Sequence, residues 1–207
     1  MEMKEEKELV ASFMRRCYSK GLTTSTGGNL SMRVGDVMLI TPSGKDKSSL
    51  TFSDIAEVDI NTGENLTPEK KLSIETEMHR KILLKRPDVV SVMHSHPTFC
   101  CLFSSSSEEI DTTLIAESWY LLDKVKKVPY ALMGTVELAE RVSDYAKEGN
   151  NALLLENHGA LATGKSVLNA FDRLECMEQA AKLTFLSRII RTRGIGEDGL
   201  SAISGMR

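Results

Sequence analysis

One segment of the 207-residue sequence constrains the fold more than any other, a β-hairpin encoded around Gly35-Asp36. Residues 31–34, Ser-Met-Arg-Val, and 37–41, Val-Met-Leu-Ile-Thr, read as short strands on either side of this pair, and a glycine-containing turn between two strands is typical of a hairpin. The turn requires two neighbouring strands to run antiparallel. A purely parallel sheet is therefore excluded, although helices and strands alternate along the rest of the chain.

Hydrophobic periodicity and turn residues predict the remaining elements. Helices are predicted at 2–20, 75–86, 135–147 and 166–191, and strands at 54–60, 89–94, 152–156 and 160–163. This interleaving favours a layered α/β fold with a largely antiparallel or mixed sheet. Residues 1–193 are predicted to form a single domain, and the Gly- and Ser-rich residues 194–207 a flexible C-terminal tail.

The charge and the apolar patterning exclude several classes of partner. The formal charge of −3 comes without a concentrated basic patch, so neither nucleic acid nor an anionic membrane is an expected partner. The apolar runs are too short for a membrane helix, and the charged N-terminus does not suit a signal peptide. We therefore expect a cytoplasmic protein. Its four cysteines form no CxxC pair and are expected to be reduced, buried thiols rather than metal ligands.

Three of the four histidines lie at the ends of predicted buried strands. His94 and His96 follow the apolar run 89–93, and two residues on a strand point to the same face. His158 follows 153–155 and precedes Gly159, at the end of a second strand. Three neutral imidazoles with one exchangeable position form a catalytic zinc site. The alternative is that each histidine is a hydrogen-bonded core residue.

The fourth histidine, His79, lies four residues after Glu75, so both side chains can share one face of the predicted helix. Such a pair can bind a metal ion. We favour the interpretation that His79 packs in the core or donates a hydrogen bond to a residue near the site.

Two glycine- and serine-containing turns bracket the hairpin, at 27–31 and 41–44. Their backbone amides, with the side chains of Asn29 and Ser43, can surround a phosphate dianion without any arginine. Such turns also occur for purely structural reasons. Ser73, just before the helix that carries Glu75, can either add a hydroxyl to this cradle or cap the helix.

These segments occur together, and in this order, in one known family. The motifs are Gly-Gly-Asn-Leu-Ser at 27–31, Leu-Ile-Thr-Pro-Ser-Gly at 39–44, Lys-Leu-Ser-Ile-Glu-Thr-Glu-Met-His at 71–79, Arg-Pro-Asp-Val-Val-Ser-Val-Met-His-Ser-His at 86–96, Val-Pro-Tyr-Ala-Leu-Met-Gly-Thr at 128–135 and Leu-Leu-Glu-Asn-His-Gly-Ala at 154–160. With them the chain resembles the class II aldolase/adducin family, and within it the L-fuculose-1-phosphate aldolase type.

The resemblance implies a role for each matching residue. It implies one Zn²⁺ per subunit, held by His94, His96 and His158, with Glu75 as a further ligand and as the catalytic acid/base. It implies a phosphate cradle that consists of Gly28, Asn29, Ser43, Gly44 and Ser73. The fold implied is a three-layer α/β/α domain around a mostly antiparallel sheet. The assembly implied is a homotetramer with its active sites between subunits.

The reaction that this resemblance implies is reversible cleavage of a ketose 1-phosphate to dihydroxyacetone phosphate and an aldehyde. Two positions depart from the fuculose type. Ile74 stands where a second serine is usual. The family's tyrosine from a neighbouring subunit has no match, since Tyr120 is out of register; Glu117 could replace it or be structural.

Other activities of the family remain alternatives to the aldolase. They are a sugar-phosphate 4-epimerase, which normally has aspartate at position 75, a methylthioribulose-1-phosphate dehydratase, and a decarboxylase of phosphorylated keto-acids. A further alternative is a non-catalytic, adducin-like interaction module. Such a module need not keep the metal ligands, and this chain keeps all of them, which favours an enzyme.

Overall fold

A computed structural model describes residues 3–207 of the chain as seven strands and seven α-helices. The strands are β1 (Asn29–Val34), β2 (Val37–Ile40), β3 (Ala56–Asp59), β4 (Ser91–Ser95), β5 (Lys126–Val128), β6 (Ala152–Leu155) and β7 (Gly159–Gly164). The helices are α1 (Lys4–Ser19), α2 (Thr76–Lys85), α3 (Thr98–Ser104), α4 (Ala116–Leu122), α5 (Val136–Lys147), α6 (Val167–Ile190) and α7 (Glu197–Ser204).

The seven strands form one sheet in the order β3-β2-β1-β4-β7-β6-β5. The predicted hairpin is β1 and β2, paired antiparallel with Val34 opposite Val37. Every other pairing is antiparallel except that of β5 with β6. The prediction of a largely antiparallel or mixed sheet is confirmed.

Helices cover both faces of this sheet because the central strands are apolar on both sides. Met93 and Leu154 belong to the hydrophobic core shared with α1, α3 and α6. Their chain neighbours Val92 and Leu153 belong to a second core, shared with α2 and α5. Successive strand residues point to opposite faces, so these two cores define three layers, α/β/α, as the resemblance implies.

The long predicted elements are present with bounds shifted by one to a few residues. Thr135 and Ser166 cap α5 and α6, with their hydroxyls accepting from the amides of Leu138 and Asn169. Residue 2, the predicted start of the first helix, lies outside the described residues. Three short elements had no sequence prediction: α3, α4 and β5. No helix within residues 3–207 is long and apolar enough to cross a membrane.

The division into a domain at 1–193 and a flexible tail at 194–207 stays a prediction. Part of the tail is the helix α7, which lies against α4. Trp119 Nε1 donates to the carbonyl oxygen of Leu200 at 3.0 Å and to Ser204 Oγ at 3.1 Å. These contacts give the tail a defined docking position on its own subunit.

Candidate active site

Three histidines from separate parts of the chain meet at one edge of the sheet. His94 lies on β4, between Asn29 of β1 and Leu161 of β7. His96 follows the end of β4, and His158 lies in the turn that joins β6 to β7. The ring centroid of His94 is 4.8 Å from that of His96 and 4.7 Å from that of His158.

The turn that carries His158 is shaped by its two neighbours. Asn157 adopts a left-handed backbone conformation with φ of 52°, which asparagine tolerates better than most residues. A Cβ added at Gly159 would lie 2.6 Å from the Ser95 carbonyl oxygen and 2.8 Å from His96 Cδ2. Only glycine therefore lets the turn approach β4 closely enough to bring the third imidazole to the other two.

The three imidazoles suit a metal ion. One ring nitrogen from each histidine lies within 4.8 Å of the ring nitrogens of the other two. Among the His, Cys, Asp and Glu side chains of the described residues, these three form the group that is close enough to hold a metal ion. His94 Nδ1 lies 2.9 Å from the Ala160 carbonyl oxygen, which can only accept, so Nδ1 carries the hydrogen and Nε2 presents its lone pair. The pKa of His94 is lowered to about 4, mainly because the side chain is buried, so this imidazole is neutral at pH 7.

Glu75 places a carboxylate against the same group. It lies directly before α2, is 6% exposed, and its Oε2 accepts from Asn29 Nδ2 at 2.7 Å. Oε2 is 3.4 Å from His94 Nε2, and Oε1 is 3.1 Å from His158 Nε2. Neither Oε1 nor His94 Nε2 has a hydrogen-bond partner. The lone pair of His94 Nε2 and the Glu75 carboxylate repel each other, and a cation bound between them would remove that repulsion. The imidazoles and the carboxylate therefore fit a divalent metal ion.

Opposing effects set the charge of Glu75. Burial, the largest of them, raises its pKa, but His94, His158 and the hydrogen bond from Asn29 together hold that pKa well below its usual range. The carboxylate is therefore ionised at neutral pH. This is the form that can bind a metal ion or accept a proton.

His79 does not join the three other histidines but fixes the residue that positions Glu75. Its Nδ1 lies 2.7 Å from Ser31 Oγ, and its Nε2 lies 2.5 Å from Asn29 Oδ1. Asn29 Nδ2 donates to Glu75 and, at 3.0 Å, to Ser73 Oγ. The network assigns the hydrogen to Nε2 of His79. The interpretation that His79 hydrogen-bonds near the site is confirmed.

The burial of His79 predicts a loss of stability in acid. The pKa of His79 is lowered from 6.5 to about 3, mainly because the side chain is buried. The charge of His94 lowers this pKa further, and the charge of Glu75 raises it. The unfolded chain therefore binds more protons between these values, and the unfolding free energy should fall as the pH drops below about 6.5, by up to about 1.4 kcal/mol per pH unit for this group. Urea unfolding of metal-free protein between about pH 7.5 and 5 measures this. His79→Gln should flatten the dependence; an equally steep one would contradict the assignment.

A cavity of about 230 Å³ opens beside the histidines. Its lining comes from both sequence-predicted turns and from the segment before α2. These residues are Thr26, Gly27, Gly28, Asn29, Pro42, Ser43, Lys47, Ser73, Ile74, Glu75, His96, Met133 and His158. The fold thus brings Glu75, His96, His158 and most of the predicted phosphate cradle into one space, while His94 is buried behind them and does not line it.

The predicted cradle residues are not equally free to bind a ligand. Both N–H groups of the Asn29 carboxamide are used within the protein. The Ser43 amide donates to the Lys71 carbonyl oxygen, which leaves its hydroxyl. Ser73 Oγ accepts from Asn29 and from the Glu75 amide, so its own hydrogen can be donated to a ligand. Gly44 is at the exposed tip of its turn and outside the cavity lining. The binding roles of all five stay predictions.

Three residues that line this cavity were not predicted from the sequence: Thr26, Lys47 and Met133. Lys47 stands in a polar run that reads as an exposed loop, and its burial has no signal in the sequence. Met133 and Ile74 lie at the mouth, each 58% exposed. Tyr120 and Glu117, the two residues considered for the family's tyrosine, both lie on α4 and do not line the cavity of their own subunit.

The three-layer fold with a histidine and carboxylate cluster at one sheet edge defines a candidate metal-dependent enzyme. The sequence profile of the family described as Class II Aldolase and Adducin N-terminal domain matches residues 8–185, and the chain belongs to this family. Class II aldolases are metal-dependent lyases, so the resemblance seen in the sequence motifs is confirmed at this level.

Individual relatives differ in what their names say they do. The chain is 31% identical to the L-fuculose phosphate aldolase of Methanocaldococcus jannaschii over 90% of its own length and 99% of the relative. It is 32% identical to the 3-oxo-tetronate 4-phosphate decarboxylase of Haemophilus influenzae over 87% of each. A solved L-fuculose 1-phosphate aldolase matches with a TM-score of 0.88 at 30% identity, over 98% of this chain and 95% of that one.

Proposed function

We propose that the chain is a zinc-dependent aldolase that reversibly cleaves a ketose 1-phosphate, similar to fuculose 1-phosphate, into dihydroxyacetone phosphate and an aldehyde. The observation that carries this proposal is one cavity that is lined by Glu75, His96 and His158 together with Ser43 and Ser73. The third imidazole, His94, is buried directly behind this lining, with its Nε2 3.4 Å from Glu75 Oε2. A phosphate held by the hydroxyls places the sugar carbons next to the metal ligands.

The names of the relatives support a phosphorylated sugar as substrate. Both the archaeal relative and the solved structure are called fuculose phosphate aldolases, and each is matched over nearly its whole length. Two differences from the fuculose type remain. Ile74, which lines the cavity, stands where a second serine is usual, and Tyr120 is out of register with the tyrosine that a neighbouring subunit supplies. We therefore propose the reaction and do not assign the aldehyde.

His94, His96 and His158, with Glu75, are the residues that would hold the metal ion. A divalent ion there supplies a Lewis acid for the negative charge that develops when the carbon–carbon bond breaks. His94 is already in the form that binds a metal ion, since burial keeps it neutral and the Ala160 carbonyl oxygen fixes its tautomer. Such preorganisation reduces the rearrangement needed during the reaction.

Glu75 is the residue that would move the proton. Asn29 fixes Oε2 by its hydrogen bond, and Oε1 has no hydrogen-bond partner, so Oε1 is the atom available to take or return a proton at the substrate carbon. Because burial raises the pKa of Glu75, any loss of its favourable contacts when substrate enters moves that pKa toward neutrality. A group with a pKa near the working pH is an effective acid/base catalyst.

A panel of ketose 1-phosphates tests the proposed reaction. Zinc-loaded protein is incubated with each sugar phosphate, and dihydroxyacetone phosphate is measured with a coupled dehydrogenase. We expect triose phosphate from at least one member of the panel and none from metal-free protein. The proposal fails if the loaded protein releases no triose phosphate from any of them.

The Haemophilus influenzae relative makes a keto-acid phosphate decarboxylase the second candidate. Decarboxylation also leaves negative charge next to a carbonyl group, so the same cavity can serve it. Carbon dioxide release from a 3-oxo acid 4-phosphate, without triose phosphate from the ketose panel, would favour this candidate over the aldolase.

We also propose that the protein assembles as a homotetramer whose subunits meet near the cavity. Several large apolar side chains at the mouth and on the neighbouring loop are exposed, and apolar patches of this kind mark contact surfaces. They are Ile74, Tyr130, Leu132, Met133 and Val136. Light scattering should give about four times the 22.9 kDa chain mass, and a monomeric mass would refute the assembly.

A further inference from the structure

Lys47 is a buried lysine beside the predicted phosphate cradle. Its relative exposure is 1%, and it lines the cavity with Ser43 and Ser73. Its backbone amide donates to the Ser25 carbonyl oxygen at 2.8 Å, and its Nζ donates to the Pro42 carbonyl oxygen at 3.1 Å. The residue is thus fixed between the two turns, with its charge at the carbonyl oxygen of Pro42, the residue before Ser43.

This ammonium group has no counter-ion among the described residues. In the structure of residues 3–207 the ion pairs within 4.0 Å do not include Lys47, and Nζ uses one of its three hydrogens. Lys45, two positions earlier, behaves differently: it is exposed and pairs with Asp54 at 3.1 Å. Removal of an uncompensated charge from water is costly, so a buried lysine of this kind indicates a missing anion.

One hydrogen bond to a carbonyl oxygen does not offset the free-energy cost of burying a charged lysine. A neutral side chain of similar length fills the same space without the desolvation cost. The cavity contains one carboxylate, Glu75, and it is already bound by Asn29 and faces the histidines. Residues 3–207 therefore do not supply the missing anion, which points to a ligand.

We propose that Lys47 supplies the positive charge that binds the phosphate group of the substrate, next to the hydroxyls of Ser43 and Ser73. This inference rests on the proposed function in one respect, that the substrate carries a phosphate. Hydroxyls and amides can orient a dianion, and an ammonium group strengthens these hydrogen bonds by adding charge. Since both Asn29 N–H groups are committed to Ser73 and Glu75, Lys47 takes the place that Asn29 was predicted to fill.

Binding of inorganic phosphate to the metal-free protein tests this role without any turnover. The variant is Lys47→Met, which keeps the chain length and removes the charge, and Lys45→Met is the matched control from the same loop. We expect phosphate to raise the melting temperature of the wild type and of Lys45→Met. In Lys47→Met the phosphate dissociation constant should rise at least about ten-fold, while the melting temperature without phosphate stays equal or increases, because a buried charge is gone.

Two results would overturn the inference: equal phosphate affinity of Lys47→Met and the wild type, or a wild type that binds no phosphate. If Lys47→Met does not fold, Lys47→Gln and Lys47→Arg replace it, with loss of affinity expected for the first and partial retention for the second. In the active enzyme, Lys47→Met should raise KM for the sugar phosphate more than it lowers kcat. If no ketose phosphate is cleaved, the proposed function fails, and the phosphate titration still decides the role of Lys47.

Discussion

Replacement of Glu75 by glutamine is expected to lower kcat by about a hundred- to ten-thousand-fold, the range that a general acid/base contributes. Glutamine has nearly the same shape, and its carbonyl oxygen can still accept the hydrogen bond from Asn29. It cannot take up a proton. The three histidines remain, so the variant should still hold about one metal ion per chain. Steady-state kinetics and elemental analysis of the same preparation measure both quantities.

The matched control for this variant is Glu77→Gln. Glu77 lies two positions further on, in the first turn of α2, and pairs with Arg80 on the protein surface. The same chemical change there should leave kcat within about two-fold, because surface substitutions usually have small effects. A Glu75→Gln enzyme with wild-type kcat would refute the acid/base role.

The second large effect is expected on metal binding. His96→Ala removes one of three imidazoles and should leave the purified protein with almost no bound metal after dialysis. Loss of a residue that only orients a ligand typically costs about ten- to a hundred-fold in metal affinity, so loss of a ligand should cost more. Activity should disappear with the metal. Competition with a chelator, followed by elemental analysis, gives the change in affinity.

His79→Gln is the comparison that separates a ligand from a neighbour. His79 contacts Asn29 and Ser31 and has no place in the histidine cluster. Its variant should therefore keep most of its metal, with at most the smaller loss expected for an orienting residue. If His96→Ala and His79→Gln lose metal equally, or if His96→Ala keeps it, the assignment of His96 as a ligand is wrong.

Local patterns in the sequence were enough for the main elements of the fold. The hairpin at 31–41 and the capped helices that begin after Thr135 and Ser166 all depend on neighbouring residues, and each is present. The strand-end positions of His94 and His158 could also be predicted, because an apolar run locates the strand and the motif marks its end. The metal and catalytic roles of these residues stay predictions until they are measured.

Short elements were missed because their sequences contain little pattern. β5 has three residues, Lys-Lys-Val, and pairs with β6 at the edge of the sheet, where only Val128 is buried. Charged residues are common on edge strands. Because two of the three residues of β5 are lysines, hydrophobicity does not predict a strand there. α3 and α4 have seven residues each, too few for a helical period to show clearly.

The finer chemistry of the site depends on contacts between distant residues. Asn29 meets Ser73, Glu75 and His79, which follow it by 44, 46 and 50 positions. No local pattern shows that its carboxamide is committed to these partners. Lys47 is similar, because it is buried where its backbone amide meets the carbonyl oxygen of Ser25, 22 positions earlier. The sequence therefore predicted which residues gather at the site better than what each of them does there.

An anomalous scattering map from crystals of the zinc-loaded protein, recorded at the zinc absorption edge, tests the metal centre most directly. We predict one strong peak per subunit, within ligand distance, about 2.0–2.1 Å, of a ring nitrogen from each of His94, His96 and His158, with Glu75 beside it. A peak at the cysteines or elsewhere on the surface, or no peak at these histidines in fully loaded protein, would contradict it.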